Sequence, residues 1–216
     1  MEALLAAVIA ISPAFAGPLA GDDLSRLEEA RSAPAWPHAR LSKDGGSYRL
    51  LGIAKIDAPL SDALAIVRDV AGYPDWAWEG INTRRGGEGE YLVHLERLEI
   101  EPGENLIRVR YHLNRFFKGE RRFAMRYAAA LDGKEAVPTL AMTLARPTPF
   151  VRELSGEIRF YPVEGEDAFF VHFMGRTKIH WAVYWLIPTA FVRTDAEERV
   201  LTVLENAAKR VKTRKR

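Results

Sequence analysis

Six runs of strand-forming residues follow one another through the middle of the chain, and turn residues separate most of them. Glu101-Pro102-Gly103, Lys118-Gly119 and Asp132-Gly133 are turns too short to return a strand in the parallel direction. This order predicts an antiparallel meander, and it constrains the fold more than any other feature. The six predicted strands are residues 90–100, 105–114, 121–131, 139–145, 156–162 and 168–174.

A strand and a helix precede this meander. Residues 48–56 predict the strand, and Ala58-Pro59 marks the start of the helix because proline is favoured in a first helical turn. Gly72-Tyr73-Pro74 ends that helix. Residues 81–85 predict one more short strand before Gly86-Gly87.

Alternation within the strands predicts one apolar and one solvated sheet face. Ile107, Val109 and Tyr111 point to one side, whereas Arg108 and Arg110 point to the other. A sheet with one apolar face must be covered by another element. The helix predicted at 189–212 supplies the cover through an apolar stripe: Val192, Ala196, Val200, Val203, Ala207 and Val211.

The N-terminus is typical of a secretion signal. Residues 3–11 are small or aliphatic, and Ala14-Phe15-Ala16 has the form of a cleavage site, so Gly17 begins the expected mature chain. No Lys or Arg precedes the run, which leaves a buried N-terminal helix as the alternative. The absence of cysteine excludes disulfides and thiolate metal sites. We expect an exported, soluble protein of the periplasm.

Three stretches carry a family resemblance. The first runs from Ile53 through Ala58-Pro59 to Tyr73-Pro74-Asp75-Trp76, the second is residues 155–162, and the third is Leu186-Ile187-Pro188 with the helix behind it. In order and spacing they resemble the START-like, helix-grip (SRPBCC) superfamily, which includes polyketide cyclase-like and lipid-transfer proteins. The resemblance covers residues 48–212.

The resemblance implies an α+β fold in which a curved antiparallel sheet wraps around the long C-terminal helix and leaves an apolar cavity. The expected organisation is a signal peptide at 1–16, a helical extension at 17–47, the START-like domain at 48–212 and a basic tail at 213–216. The implied function is non-catalytic transfer or sensing of a lipid such as a sterol, hopanoid, fatty acid or phospholipid.

Aromatic and methionine side chains are the candidate ligand contacts, because a lipid cavity needs surplus apolar surface and methionine adapts to irregular guests. For any single one of them an ordinary core position is the favoured interpretation, and the expectation of a cavity rests on the set as a whole. Trp76 is interpreted as mainly structural. The candidate ligand-binding residues are Trp78, Tyr111, Met125, Tyr127, Met142, His172, Met174, Trp185 and Phe191.

Catalytic motifs are missing from the sequence. The five histidines have no metal-ligand spacing, and no nucleophile elbow or phosphate loop occurs, so we expect no metal and no cofactor. A cyclase, aromatase or hydrolase in the same cavity is the alternative, with His172, His112, Tyr111 and Glu96 as candidate acids or bases. A second alternative is an interaction module with a filled interior.

Charge is distributed unevenly. Six of the last eight residues are basic, whereas the rest of the chain has a small acidic excess, which argues against a nucleic-acid partner. Two interpretations of the tail stay open, a solvated helix end and a transient contact with anionic lipid. Arg108 and Arg110 are interpreted as an exposed basic strand face. A register shifted by one residue would instead place them in the cavity, paired with Glu96, Glu157 or an anionic lipid head group.

Overall fold

The computed structural model describes residues 37–85, 91, 93–113, 121–130, 138–148, 151–180 and 189–214. These residues contain eight strands, a short helical segment after the second strand and a long C-terminal helix. The strands are β1 (His38–Asp44), β2 (Ser47–Ile56), β3 (Val93–Glu101), β4 (Leu106–Leu113), β5 (Arg121–Ala130), β6 (Thr139–Leu144), β7 (Val151–Pro162) and β8 (Phe169–Ile179). The helices are α1 (Leu60–Arg68), α2 (Tyr73–Trp76) and α3 (Thr189–Arg214).

All eight strands form one antiparallel sheet in the order β1-β2-β8-β7-β6-β5-β4-β3. The meander from β3 to β8 confirms the predicted strand order. β8 then pairs with β2, so the strand that precedes the helices joins the far end of the meander. The curved open sheet and its long C-terminal helix confirm the predicted α+β fold class.

Two sequence predictions are wrong in detail. Residues 38–44, placed in the helical extension, form β1 and pair along their whole length with β2. Gly45 and Gly46 make the two-residue turn with φ of 51° and 84°, the positive values that this hairpin turn requires. Residues 81–85 form turns rather than a strand, and side-chain contacts with α3 hold them in place.

The sheet face that packs on α3, called the inner face, holds the core. Ile107, Val109 and Tyr111 are buried there, while Arg108 on the opposite, outer face is exposed, as the alternation predicts. The helix stripe is likewise buried, except for the partly exposed Val203.

Gly52 sets how closely α3 approaches β2. A Cβ at this position would lie 2.4 Å from Val200 Cγ1 and 3.3 Å from Leu204 Cδ1. Any side chain at Gly52 would therefore push the helix away from the sheet, because non-bonded carbon atoms do not approach each other to 2.4 Å.

Candidate functional site

An apolar cavity lies between the inner face of the sheet and α3. Each strand from β3 to β8 contributes wall side chains, and the helices and the turn that follows α2 supply the remainder. The wall includes Tyr73, Trp76, Trp78, Met125, Met142 and Leu204.

The cavity is small in this conformation, at about 50 Å³. Lipid-sized ligands occupy pockets of about 300–1,000 Å³, so a lipid would enter only if wall side chains moved. Met125 and Met142 lie on adjacent strands of the wall, and unbranched methionine side chains rearrange at low cost.

Two polar atoms at the cavity stand out. Tyr73 Oη and Trp76 Nε1 are both buried, and neither has a hydrogen-bond partner in the described part of the chain. The two rings meet edge to face with centroids 4.9 Å apart. Burial, reinforced by the charge of Asp69, raises the pKa of Tyr73 well above its usual range, so its phenol stays neutral. The pair holds two buried hydrogen-bond donors beside an otherwise apolar wall.

Local sequence explains the position of this pair. α1 ends at Arg68, a single 3-10 turn follows at Val70–Gly72, and Pro74 lies in the first turn of α2, where a proline fits. The Tyr-Pro-x-Trp motif is thus a turn of helix rather than a loop.

Side chains of α3 fasten the segment around α2. Asn206 Nδ2 donates to the carbonyls of Glu79 at 2.8 Å and Ala77 at 3.3 Å. Arg210 Nη2 donates to Asp69 Oδ2 at 2.9 Å. These contacts bracket the Tyr73–Trp76 turn on both sides, which fixes the two donors relative to the helix.

A buried ionic cluster anchors the N-terminal half of α3. Arg84 Nη2 donates to Asp195 Oδ1 at 2.6 Å, and Tyr91 Oη donates to Glu198 Oε2 at 2.8 Å. The guanidinium carbons of Arg84 and Arg199 lie 4.3 and 4.1 Å from the centre of the Tyr91 ring. Burial lowers the pKa of Arg199 to about 10, so it remains cationic at neutral pH.

This cluster was not predicted. Its signals in the sequence are Asp195 and Arg199, two charged residues at the spacing of the apolar stripe of the predicted helix. Its partners come from residues 84–91, more than 100 positions earlier in the chain.

Three predicted ligand contacts, Trp78, Met125 and Met142, line the cavity. Tyr111 is buried against Phe123, with ring centroids 5.9 Å apart, and Tyr127 packs against the core, both away from the described cavity wall. Phe191 is 59% exposed on the first turn of α3, and Trp185 lies outside the described residues.

His172 and Met174 require a correction, because the structure places them on the outer face. Their neighbours Val171 and Phe173 line the cavity, and strand alternation turns His172 the other way. His172 is buried there beside Tyr161, with ring centroids 4.5 Å apart. The run from Phe169 to Phe173 is apolar on both faces apart from His172, so its pattern does not reveal the inner side.

The remaining candidate acids and bases also lie outside the cavity. His112 Nδ1 is 2.9 Å from Glu96 Oε1, and the ring of His112 stacks on His94 at the partly exposed outer face. Among the described wall residues none is His, Asp, Glu, Lys or Arg. The described residues likewise contain no cluster able to hold a metal ion.

Comparisons with known proteins identify the fold. No protein-family model matches the chain, and no curated protein matches it significantly. Solved structures do: the Zhui aromatase/cyclase from Streptomyces sp. R1128 has a TM-score of 0.51 and 18% identity, covering 79% of this chain and 96% of that one. A protein from Thermus thermophilus has a TM-score of 0.51 and 14% identity, covering 78% and 99%.

A further similar structure is the STAR-related lipid transfer protein from Xanthomonas axonopodis, with a TM-score of 0.48 and 12% identity, covering 81% of this chain and 99% of that one. This chain has a START-like, helix-grip fold, as its motifs predict. Within the described ranges, no helix is long and apolar enough to cross a bilayer.

Proposed function

We propose that this chain binds a lipid-like molecule in the cavity under α3 and carries it without chemical change. The observation that carries the proposal is the pairing of apolar walls with two buried polar atoms, Tyr73 Oη and Trp76 Nε1. Buried polar groups are almost always hydrogen-bonded, and an exception calls for a missing partner. A ligand with an apolar body and one oxygen acceptor would pack against the apolar walls and accept hydrogen bonds from the two buried donors.

The acceptor is best supplied by a carbonyl, ester or hydroxyl oxygen. A carboxylate buried beside Tyr73 would lie in an apolar space whose described wall holds no cation to neutralise it. We therefore expect sterols, hopanoids or esterified lipids to bind more tightly than ionised fatty acids.

Trp78 is the proposed gate. It lines the cavity and is only partly buried, whereas α3 is held by the Arg84–Asp195 contact and by Asn206. Moving one indole breaks fewer interactions than lifting the helix. The ligand would therefore enter beside Trp78, with Met125 and Met142 rearranging around it.

A fluorescence binding titration tests the proposal. A fluorescent sterol is added to the wild-type protein, to Trp78→Ala and to a matched control, Phe191→Ala, which removes an exposed aromatic side chain outside the cavity. We expect saturable binding by wild type and control, and weaker binding with faster uptake for Trp78→Ala. Unchanged affinity and unchanged rates for Trp78→Ala with every bound lipid would refute the gate.

A cyclase-type reaction in the same cavity is the second candidate. It is favoured by the neutral Tyr73 phenol, which in an apolar space can donate a hydrogen bond to a developing oxyanion. Turnover of a polyketide-like substrate that Tyr73→Phe abolishes, with binding retained, would support catalysis over carriage.

We also propose that the protein is exported. The predicted signal at 1–16 lies outside the described residues, so its cleavage must be measured directly. Mass spectrometry of the protein from its native host should give a chain that begins at Gly17. An intact Met1 in a cytosolic fraction would contradict export.

The basic C-terminus is a proposed point of transient membrane contact. Lys209 and Lys212 are exposed on the last turns of α3, while Val211 between them is buried. Replacing both lysines by alanine should slow lipid transfer between anionic vesicles and leave transfer between neutral vesicles unchanged. Equal transfer rates between anionic vesicles would exclude this role.

A further inference from the structure

A separate cleft lies on the outer face of the sheet, over β4 and β5. Its volume is about 520 Å³, which is large enough for a small ligand. Two glutamates, Glu99 and Glu104, line it together with five arginines. The arginines are Arg108, Arg110, Arg122, Arg126 and Arg146, and we call this surface the arginine cleft.

The strand register places like charges opposite each other in the arginine cleft. Arg110 of β4 is the direct cross-strand partner of Arg122 of β5. Like charges in this position destabilise a sheet. Glu99 lies 3.1 Å from Arg110, but the same carboxylate oxygen is also 3.0 Å from Arg97. Glu99 therefore divides its negative charge between Arg110 and Arg97.

Small side chains leave room between the arginines. Ala124 separates Arg122 from Arg126 along β5, and the backbone of Ala145 hydrogen-bonds to that of Ala124 at 2.8 Å. Both alanines line the cleft. An anion placed over them would have guanidinium groups around it and no bulky side chain beneath it.

Two of the arginines are available to a ligand. Arg126 and Arg146 are exposed and form no hydrogen bond or ion pair with any residue that the structure describes. Arg108, in contrast, is held by Glu101, with its Nε 2.5 Å from Glu101 Oε1. Residues 1–208 as a whole have a small acidic excess, so the concentration of arginine here is local.

We propose that the arginine cleft binds a phosphate group. The planar guanidinium fork matches phosphate oxygens in pairs, and arginine is favoured where phosphate is recognised. Five arginines against three glutamates, Glu99, Glu104 and the Glu101 that holds Arg108, leave an excess of two positive charges, which suits a doubly charged phosphate monoester better than a single carboxylate. The phosphate belongs either to a soluble metabolite or to a lipid headgroup, and the chemistry of recognition is the same.

A two-armed experiment tests this proposal. Calorimetry with glycerol 3-phosphate measures soluble phosphate, and flotation with phosphatidylcholine vesicles containing phosphatidic acid measures the headgroup. The variant Arg126→Ala/Arg146→Ala should weaken whichever binding is found by about tenfold or more. Its matched control, Arg68→Ala/Arg193→Ala, removes two exposed arginines elsewhere, has the same net charge and should bind as wild type.

Each outcome decides the proposal. Binding in the soluble arm that the cleft variant loses assigns a phosphorylated metabolite. Binding that is confined to vesicles, and that the cleft variant loses while its control keeps it, assigns a lipid headgroup. The proposal for the arginine cleft is overturned if the wild-type protein binds in neither arm, or if the cleft variant and its control lose equal affinity. Sterol affinity of the cavity is measured on the same proteins and should not change, so failure here is distinguishable from failure of the carrier proposal.

Discussion

Arg84 Nη2 and Asp195 Oδ1 lie 2.6 Å apart and join two segments separated by 111 positions in the chain. Asp195 is 2% exposed, so this ion pair is shielded from water. Arg199 and Tyr91 pack around it. The contact fixes the N-terminal half of α3 against the turns at 81–85, which favours opening of the cavity at Trp78 rather than at the helix.

Removing one partner of this pair should destabilise the protein strongly. We expect Asp195→Ala to lower the free energy of unfolding by about 3 kcal/mol, because it removes the buried carboxylate closest to Arg84 and leaves Glu198 alone to compensate Arg84 and Arg199. Urea denaturation measures the loss. As the control, Glu153→Ala removes the exposed ion pair with Lys178 and should cost less than about 1 kcal/mol. Similar losses for both variants would show that the cluster does not anchor α3.

Gly52→Ala tests the close approach of α3 to the sheet. The added Cβ would meet Val200 Cγ1, and overpacking of this kind costs about 1–3 kcal/mol. Thermal denaturation should show the loss, and Val200→Ala in the same chain should recover part of it. Gly103→Ala, where no atom lies within 4 Å of the added Cβ, is the control. If Gly52→Ala were as stable as wild type, α3 would have to lie farther from β2 than the structure shows.

Tyr73→Phe should separate stability from binding. Loss of a buried hydroxyl without a described hydrogen-bond partner should raise the stability of the empty protein by about 1 kcal/mol. Affinity for a sterol should fall about tenfold, because the ligand oxygen loses a donor. Tyr127→Phe, on β5 and outside the described cavity wall, is the control and should leave affinity unchanged. Equal affinities of Tyr73→Phe and wild type would remove Tyr73 from the site.

The pair between Arg85 and Glu205 predicts a pH dependence of stability. Arg85 Nη2 donates to Glu205 Oε1 at 2.6 Å, and this hydrogen bond holds the pKa of Glu205 below its usual range. Stability from this pair is therefore present above the unfolded pKa of about 4.3 and is lost as the pH falls through the lower folded value. Glu205→Gln should be less stable than wild type at neutral pH, with the difference closing in acid. A constant difference across that range would contradict the assignment.

The fold was largely predictable because it follows from local patterns. Alternation, turn residues and the helical stripe are properties of short segments, and they predict the meander, its faces and α3. β7 and β8 are longer than predicted. Their added residues include charged side chains such as Arg152 and Lys178, which are exposed and therefore gave no apolar strand pattern in the sequence. β1 was missed because an edge strand needs few apolar residues, here chiefly Ala39 and Leu41.

The candidate site was only partly predictable because it depends on contacts between distant segments. Trp78, Met125 and Met142 were identified by residue type, but the same reasoning chose Tyr111 and His172, which do not line the cavity. Side-chain direction in a strand that is apolar on both faces requires the register with its neighbours. The donor pair of Tyr73 and Trp76 is visible only when burial and hydrogen bonding are known.

The most direct test of the central claim, that this protein carries a lipid-like molecule, is native mass spectrometry of the protein purified from its native host. Lipid carriage predicts a mass excess of one apolar molecule per chain, which organic extraction removes and identifies as a lipid with a carbonyl, ester or hydroxyl oxygen. A chain that is always empty, and that takes up no lipid from vesicles, would contradict lipid carriage.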